Sequence, residues 1–318
     1  VFTTRIEMKP PYSFDRLLRR LESHPDDQLR VDAENRLIRR AFRLQGKPEL
    51  VTLQFQGGDE EPSIELTAVG DLGQAQQEEL VYKVKHMFSA DVDLQPLYDH
   101  MNQDQHLKPL VESFRGLRYL LDPDLFQSMI RTIIGQQLNL AFAATLTHRL
   151  LTLAGDSITA EDGTTFYVFP TAEAIARLEV AQLRELQYSQ RKAEYIIDFA
   201  RAVVDGKVDL DRLPHMSDDE IIAYLTPLRG IGRWTVECLL MFGMGRPDLL
   251  PAADIGLRNG MMIMYGMTEK PTEAEIREIG ESWRPYRSYV SLYMWEAVGA
   301  LKRKEAGFME LVDGLKGK

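Results

Sequence analysis

The chain has 318 residues, 44% of them hydrophobic and 27% charged, with a formal net charge of -10. That length is enough to bury a core in two domains, and the composition is that of an ordinary soluble globular protein. No apolar run reaches membrane-spanning length, residues 1–9 lack the apolar centre of a secretion signal, and the single cysteine, Cys238, excludes an internal disulfide and fits a reducing cytoplasm.

Residues 1–90 read as one unit. A strand over 3–8 is followed by Pro10-Pro11-Tyr12-Ser13-Phe14-Asp15 and a helix over 16–21. Three β-like runs, 36–44, 50–55 and 63–69, are separated by turn signals at Gly46-Lys47-Pro48 and Gly57-Gly58-Asp59. A helix over 74–88 places Leu80, Val84 and Met87 on one face. The pattern predicts a small antiparallel sheet covered by one or two helices, a scaffold without chemistry of its own.

From residue 91 to 318 the periodicity is helical, so the fold class is α+β, with an all-helical region forming two lobes around a cleft. Asp122-Pro123 predicts a helix start with proline in the first turn, running through Ile134 to Gly135-Gln136-Gln137-Leu138, and a second helix covers 141–153. Residues 156–166 are polar and read as a surface loop. Thr171 caps a helix to Leu178, 181–186 is helical, and Arg191-Lys192 opens a long helix to Val204, where a solvated helix face is one of two equal readings of the charges and a functional basic helix start is the other. Helices over 276–283 and 289–301 follow, and the residues from 302 onward are predicted to be a frayed tail.

The densest signal lies between 217 and 258. Ser217 and Glu220 form a capping box, Ile221, Ile222 and Leu225 make an apolar stripe, and Pro227 stops that helix. Gly230-Ile231-Gly232 supplies a tight bend, and a second helix begins at Arg233 with Trp234, Cys238 and Met241 at helical spacing. Backbone amides at such a bend, with the positive end of the next helix, suit a phosphate; an ordinary helix-to-helix turn has the same sequence. After Gly243 and Gly245, a loop leads to Asp254 at the start of a new helix, either a plain N-cap or a carboxylate kept ionised beside a cleft. The acidic balance runs against nucleic-acid binding, although the acids cluster away from Arg229 and Arg233. His100 and His106 have no zinc-site spacing.

The run Leu228-Arg229-Gly230-Ile231-Gly232-Arg233-Trp234-Thr235, followed about twenty residues later by Pro251-Ala252-Ala253-Asp254, resembles the helix-hairpin-helix DNA glycosylases that carry a glycine/proline-rich loop and an aspartate. Within them it is most similar to the bacterial alkylated-base branch, the 3-methyladenine DNA glycosylase II type. The resemblance is strongest over 122–139 and 225–258, and the sheet domain with its Pro-Pro-Tyr entry matches as well. It implies a monomeric enzyme that flips alkylated purines out of duplex DNA, hydrolyses the N-glycosidic bond and leaves an abasic site. Asp254 would be the catalytic carboxylate. Trp234 stands where bifunctional members carry the lysine that forms a Schiff base, so a monofunctional reaction is implied; the ring either stacks on the extruded base or anchors the hairpin. Gly230, Gly232 and Thr235 would contact phosphate, with Arg229 in place of the usual proline and Arg233 beside it. Gln137 falls at the intercalating position, where a plain polar loop is the other reading.

By family position Tyr12, Tyr289 and Trp295 would line the base pocket, although aromatics at helical spacing are more often simply core, while Cys238 and Ile255 replace further aromatics. The resemblance implies no required cofactor, Na+ or K+ at hairpin carbonyls near Leu228 and Ile231, and, with one cysteine, no iron–sulfur cluster. The rival readings are an oxidised-guanine glycosylase/lyase and a non-catalytic DNA-binding module.

Overall fold

The computed structural model describes residues 1–22 and 26–316. β1 (Phe2–Glu7) leads to α1 (Phe14–Glu22), then β2 (Leu29–Asp32), β3 (Leu37–Leu44), β4 (Lys47–Gln56) and β5 (Ser63–Ala68). These strands form one antiparallel sheet in the order β1-β5-β4-β3-β2. Alternation decides its faces. Ile38, Phe42 and Leu44, with Val51, Leu53, Phe55, Ile64 and Leu66, bury one face beneath α1 and α2 (Gln74–Met87). β2 escapes the sequence reading because it is four residues long and lies at the edge.

The helical region begins with α3 (Gln95–Met101) and α4 (Lys108–Ser113), followed by α5 (Leu125–Gly135) and α6 (Leu140–Ala154). α5 starts later than Asp122-Pro123 predicts. Asp124 is its N-cap, and the Asp124 carboxylate accepts the Gln127 N–H at 2.7 Å, so Pro123 precedes the cap. The polar stretch 156–166 is not a loop. β6 (Asp156–Thr159) and β7 (Thr165–Val168) form a hairpin whose Phe166 and Val168 pack against Ala41 and Leu50 on the outer face of the sheet. Arg43 and Arg39 of β3 pair with Asp156 and Asp162 at 2.6 and 2.7 Å, holding the hairpin there.

α7 (Ala172–Ala176), α8 (Val180–Glu185), α9 (Gln190–Val204) and α10 (Asp218–Leu225) follow. The Ser217–Glu220 capping box closes α10 in both directions. α11 (Arg233–Cys238) runs into a π turn, Leu239–Gly243, and α12 (Ile255–Met264), α13 (Glu273–Gly280) and α14 (Arg287–Lys302) complete the lobes. The predicted frayed tail is instead α15 (Ala306–Lys316), because Phe308 is buried against Phe114 with ring centroids 4.9 Å apart; the last two residues lie outside the described ones. No helix among the described residues is long and apolar enough to cross a membrane.

Arg118 ties the sheet domain to the helices. Its guanidinium is buried and donates only to backbone carbonyls: Lys9 at 2.5 Å, Pro11 at 3.2 Å, Ser89 at 3.0 Å and Val92. Burial, with no carboxylate beside it, lowers its pKa below the usual arginine range. Removing it strands several buried acceptors. Arg118→Met is therefore expected to destabilise the fold by about 3 kcal/mol or more in denaturant unfolding. Arg115→Met, whose pair with Glu60 is exposed, is expected to stay within about 0.5 kcal/mol of the parent; equal losses would contradict this account of the junction.

Candidate active site

Asp254 is placed by a loop that α14 holds. Asp248 accepts Arg287 Nε at 2.7 Å and Nη2 at 3.1 Å, Leu249 N–H donates to Ser288 Oγ at 2.8 Å, and Ser288 N–H donates to the Pro247 carbonyl at 2.9 Å. With the loop fixed to the first turn of α14, Trp295, two turns on, faces the loop's end. Asp254 caps α12: Oδ1 accepts Leu257 N–H at 2.6 Å and the Trp295 indole Nε1–H at 2.7 Å. Both bonds fall on Oδ1 and neither on Oδ2. The carboxylate sits at the positive end of α12. Gly256 makes the arrangement fit, since a Cβ there would stand 2.9 Å from Trp295 Cδ1 and 3.0 Å from Asp254 Oδ1.

A stack of rings continues from this carboxylate. Trp295 lies on Phe242, with centroids 5.9 Å apart and planes at 28°, and both rings are half-buried. Phe242 meets Tyr119 edge-on at 6.0 Å, and Tyr119 meets Tyr289 edge-on at 5.2 Å. Tyr289 is buried and so lies behind the pair, two rings from any surface that Trp295 and Phe242 present. Tyr12 does not line this pocket. It is sealed in the sheet-domain core, its ring on Phe14 at 4.6 Å and its hydroxyl donating to the Phe88 carbonyl at 3.0 Å. Cys238 lies near Asp254; burial, then the charges of Glu237 and Asp254, push its thiol up to about 12, so it is a neutral wall and not a nucleophile. Ile255 is exposed beside Asp254, and Trp234 is 47% exposed.

The hairpin forms the second half of the site. Gly230 has φ +83°, and a Cβ on it would stand 2.2 Å from Tyr195 Cγ, so no other residue fits. Gly232 caps α11 without a side chain, leaving the first amides of that helix without an acceptor from their own cap. Gln136 joins α5 to the bend: its Nε2 donates to the Gly230 carbonyl and to Thr235 Oγ1, both at 2.9 Å. Thr235 is buried, and its hydroxyl is engaged by Gln136 inside the protein. Lys192 is buried too, and is no part of a solvated face. Its Nζ donates to the carbonyls of Ile134 and Gln136 at 2.5 and 2.8 Å, closing the end of α5. Burial lowers its pKa.

Gln137 follows immediately, exposed and at φ +56°, a left-handed conformation that glutamine adopts only under constraint. Gln136, Gln137, Gly230, Gly232, Trp234 and Thr235 border one open groove of about 760 Å³. Arg229 pairs with Glu194 and Asp198, and Arg233 with Glu237, at exposed positions where such pairs are weak.

Gln136, Lys192, Phe242 and Gly256 are the residues that sequence reasoning missed. Phe242 carried a readable signal, because Trp234, Cys238 and Phe242 recur every four residues along one helix face. Gln136 and Lys192 carried none, since their partners are distant in the chain.

Residues 130–285 match the family described as HhH-GPD superfamily base excision DNA repair protein, and residues 3–120 match the AlkA N-terminal domain. A putative DNA-3-methyladenine glycosylase of Bacillus subtilis (strain 168) is 39% identical over 295 residues, covering 92% of this chain and 98% of that protein. A DNA-3-methyladenine glycosylase of the same organism is 36% identical, covering 71% and 74%. Among solved structures, a 3-methyladenine DNA glycosylase from Archaeoglobus fulgidus superimposes with a TM-score of 0.81 at 27% identity, covering 95% of this chain and 99% of that one. The fold, the hairpin and the 39% identity over nearly the full length agree, and the chain belongs to the HhH-GPD superfamily of base excision DNA repair proteins.

Proposed function

We propose that this protein is a monofunctional DNA glycosylase that hydrolyses the N-glycosidic bond of N-alkylated purines of the 3-methyladenine type in duplex DNA. One observation carries the reading: Asp254 spends both of its hydrogen bonds on Oδ1, which leaves Oδ2 to face a reacting sugar. The relatives above are named for 3-methyladenine, which supports the substrate class. An alkylated purine already carries positive charge and departs with little acid help, so the protein's task is to stabilise the oxocarbenium-like sugar. A carboxylate ~4 Å from that charge, at an effective dielectric of ~20, contributes about 4 kcal/mol, roughly a thousandfold in rate. Oδ2 also orients the attacking water.

The strand is seated by the amides at Gly230 and Gly232, and Gln137, held rigidly beside them, fills the gap that the extruded base leaves. The extruded base lies against Trp295 and Phe242, whose faces attract a cation. Trp234 cannot form an imine, which favours simple hydrolysis over strand cleavage. A Na+ or K+ ion at the carbonyls of Leu228 and Ile231 would brace the bend while a phosphate is bound. The binding-module reading leaves the carboxylate, its indole partner and Gly256 without a role.

Asp254→Asn is expected to bind a lesion duplex as the parent does and to release base about a thousandfold more slowly in single turnover; unchanged excision would remove Asp254 from the mechanism. Trp295→Phe keeps the ring stack and loses the Nε1–H bond. Excision should fall about 10- to 100-fold with affinity retained, and a loss confined to affinity would assign the indole to binding alone. Gln136→Leu frees the hairpin from α5, so duplex affinity should weaken about tenfold, whereas full affinity in a fluorescence-anisotropy titration would show that the bend needs no such brace.

A further inference from the structure

The turn that carries Phe242 is held from the sheet domain. α11 widens at Leu239–Gly243 into a π turn, closed by the Met244 N–H on the Leu239 carbonyl at 3.0 Å. Such turns are rare and recur at functional sites. The helix stops here, so its last carbonyls need partners from outside it. Two consecutive ones find them at the end of α2. The Gly243 carbonyl accepts from His86 Nε2 at 2.8 Å, and the Phe242 carbonyl accepts the Asp122 N–H at 2.9 Å. Asp122 is itself placed by α2, since the Leu121 N–H donates to the Met87 carbonyl at 2.8 Å.

Of these ties, the one from His86 is made by a side chain. A carbonyl can only accept, so the imidazole carries a hydrogen on Nε2. The ring is half-buried in the last turn of α2 and stacks on Tyr82, one turn earlier, with centroids 6.1 Å apart and planes at 12°. On its other side the π turn packs directly on α5, because a Cβ on Gly243 would stand 2.8 Å from Ser128 Oγ. The turn is thus fixed between α5 and α2. Phe242, one peptide from the carbonyl that His86 holds, is the ring that lies on Trp295 and meets Tyr119 edge-on.

We infer that His86 is a positioning residue of the base site: from the sheet domain it holds the π turn, and with it the tilt of Phe242 against Trp295. The inference rests on the reading above that the extruded base lies against these two rings. It gives the sheet domain a part in excision, although that domain contributes no group to the reaction.

The test compares His86→Leu, which removes the donor, with His86→Gln, whose amide supplies one. Hydrogen exchange of the free protein is independent of any substrate. In His86→Leu the amides of residues 243–246 should exchange about tenfold faster, with those of α12 unchanged. In single turnover on a lesion duplex, His86→Leu should excise about five- to tenfold more slowly. Its duplex Kd should be that of the parent, because this junction shares no residue with the hairpin groove. His86→Gln should recover most of the rate, and in a Phe242→Leu background the His86→Leu loss should disappear. Unchanged exchange, excision at the parent rate despite faster exchange, a loss confined to Kd, no recovery with glutamine, or an undiminished loss in the Phe242→Leu background would each overturn the assignment. If Phe242→Leu by itself excises like the parent, the reading of the base site fails instead, and the exchange rates still decide whether His86 holds the turn.

Discussion

The hydrogen bond from the Trp295 indole to Asp254 Oδ1 is the constraint on which the site depends. It fixes one carboxylate oxygen from the side opposite the helix amide and thereby orients the other. It also binds the charge to the aromatic surface, because the ring that donates to Asp254 is the ring that stacks on Phe242. In the proposed reaction, charge for the sugar and a face for the base are thus parts of one unit. The pinned loop from 247 to 250, the missing side chain at Gly256 and the first turn of α14 serve that single distance.

The hairpin answers a different problem, how a chain with a net charge of -10 holds a polyanion. Arg229 and Arg233 pair with acids of their own surface, so the local positive charge at the bend is partly balanced. Fixed amides do not depend on net charge, and they work only where the bend does not move. Gln136 and Lys192 provide that rigidity from beneath, one bonding the bend and the other the end of α5. The same two residues set where Gln137 projects, so in the proposed reading the seat for the strand and the wedge into the stack move together.

What was legible in the sequence was local. Ser217 with Glu220, and Asp254 ahead of its helix, form caps whose partners lie three residues away, and both are visible in one turn of sequence. The sheet was legible through its turns and alternation. What was not legible depends on contacts across the chain. The 156–168 hairpin has too few apolar residues to be read alone, and becomes a hairpin because Phe166 and Val168 find Ala41 and Leu50. α15 forms because Phe308 finds Phe114. Tyr12 matched a pocket position by resemblance, yet the tilt of its ring onto Phe14 places it in the sheet core. Gln136 reaches partners more than ninety residues away, and no periodicity reports that.

The central claim is that Asp254 stabilises positive charge developing at the sugar. The most direct measurement compares the affinity of the protein for two duplexes, one with a cationic pyrrolidine in place of the damaged nucleotide's sugar and one with a neutral tetrahydrofuran. A carboxylate that acts on the transition state should make the cationic duplex bind about a hundredfold or more tightly, with that preference lost when residue 254 is asparagine. Equal affinity of the parent protein for both duplexes would contradict the account.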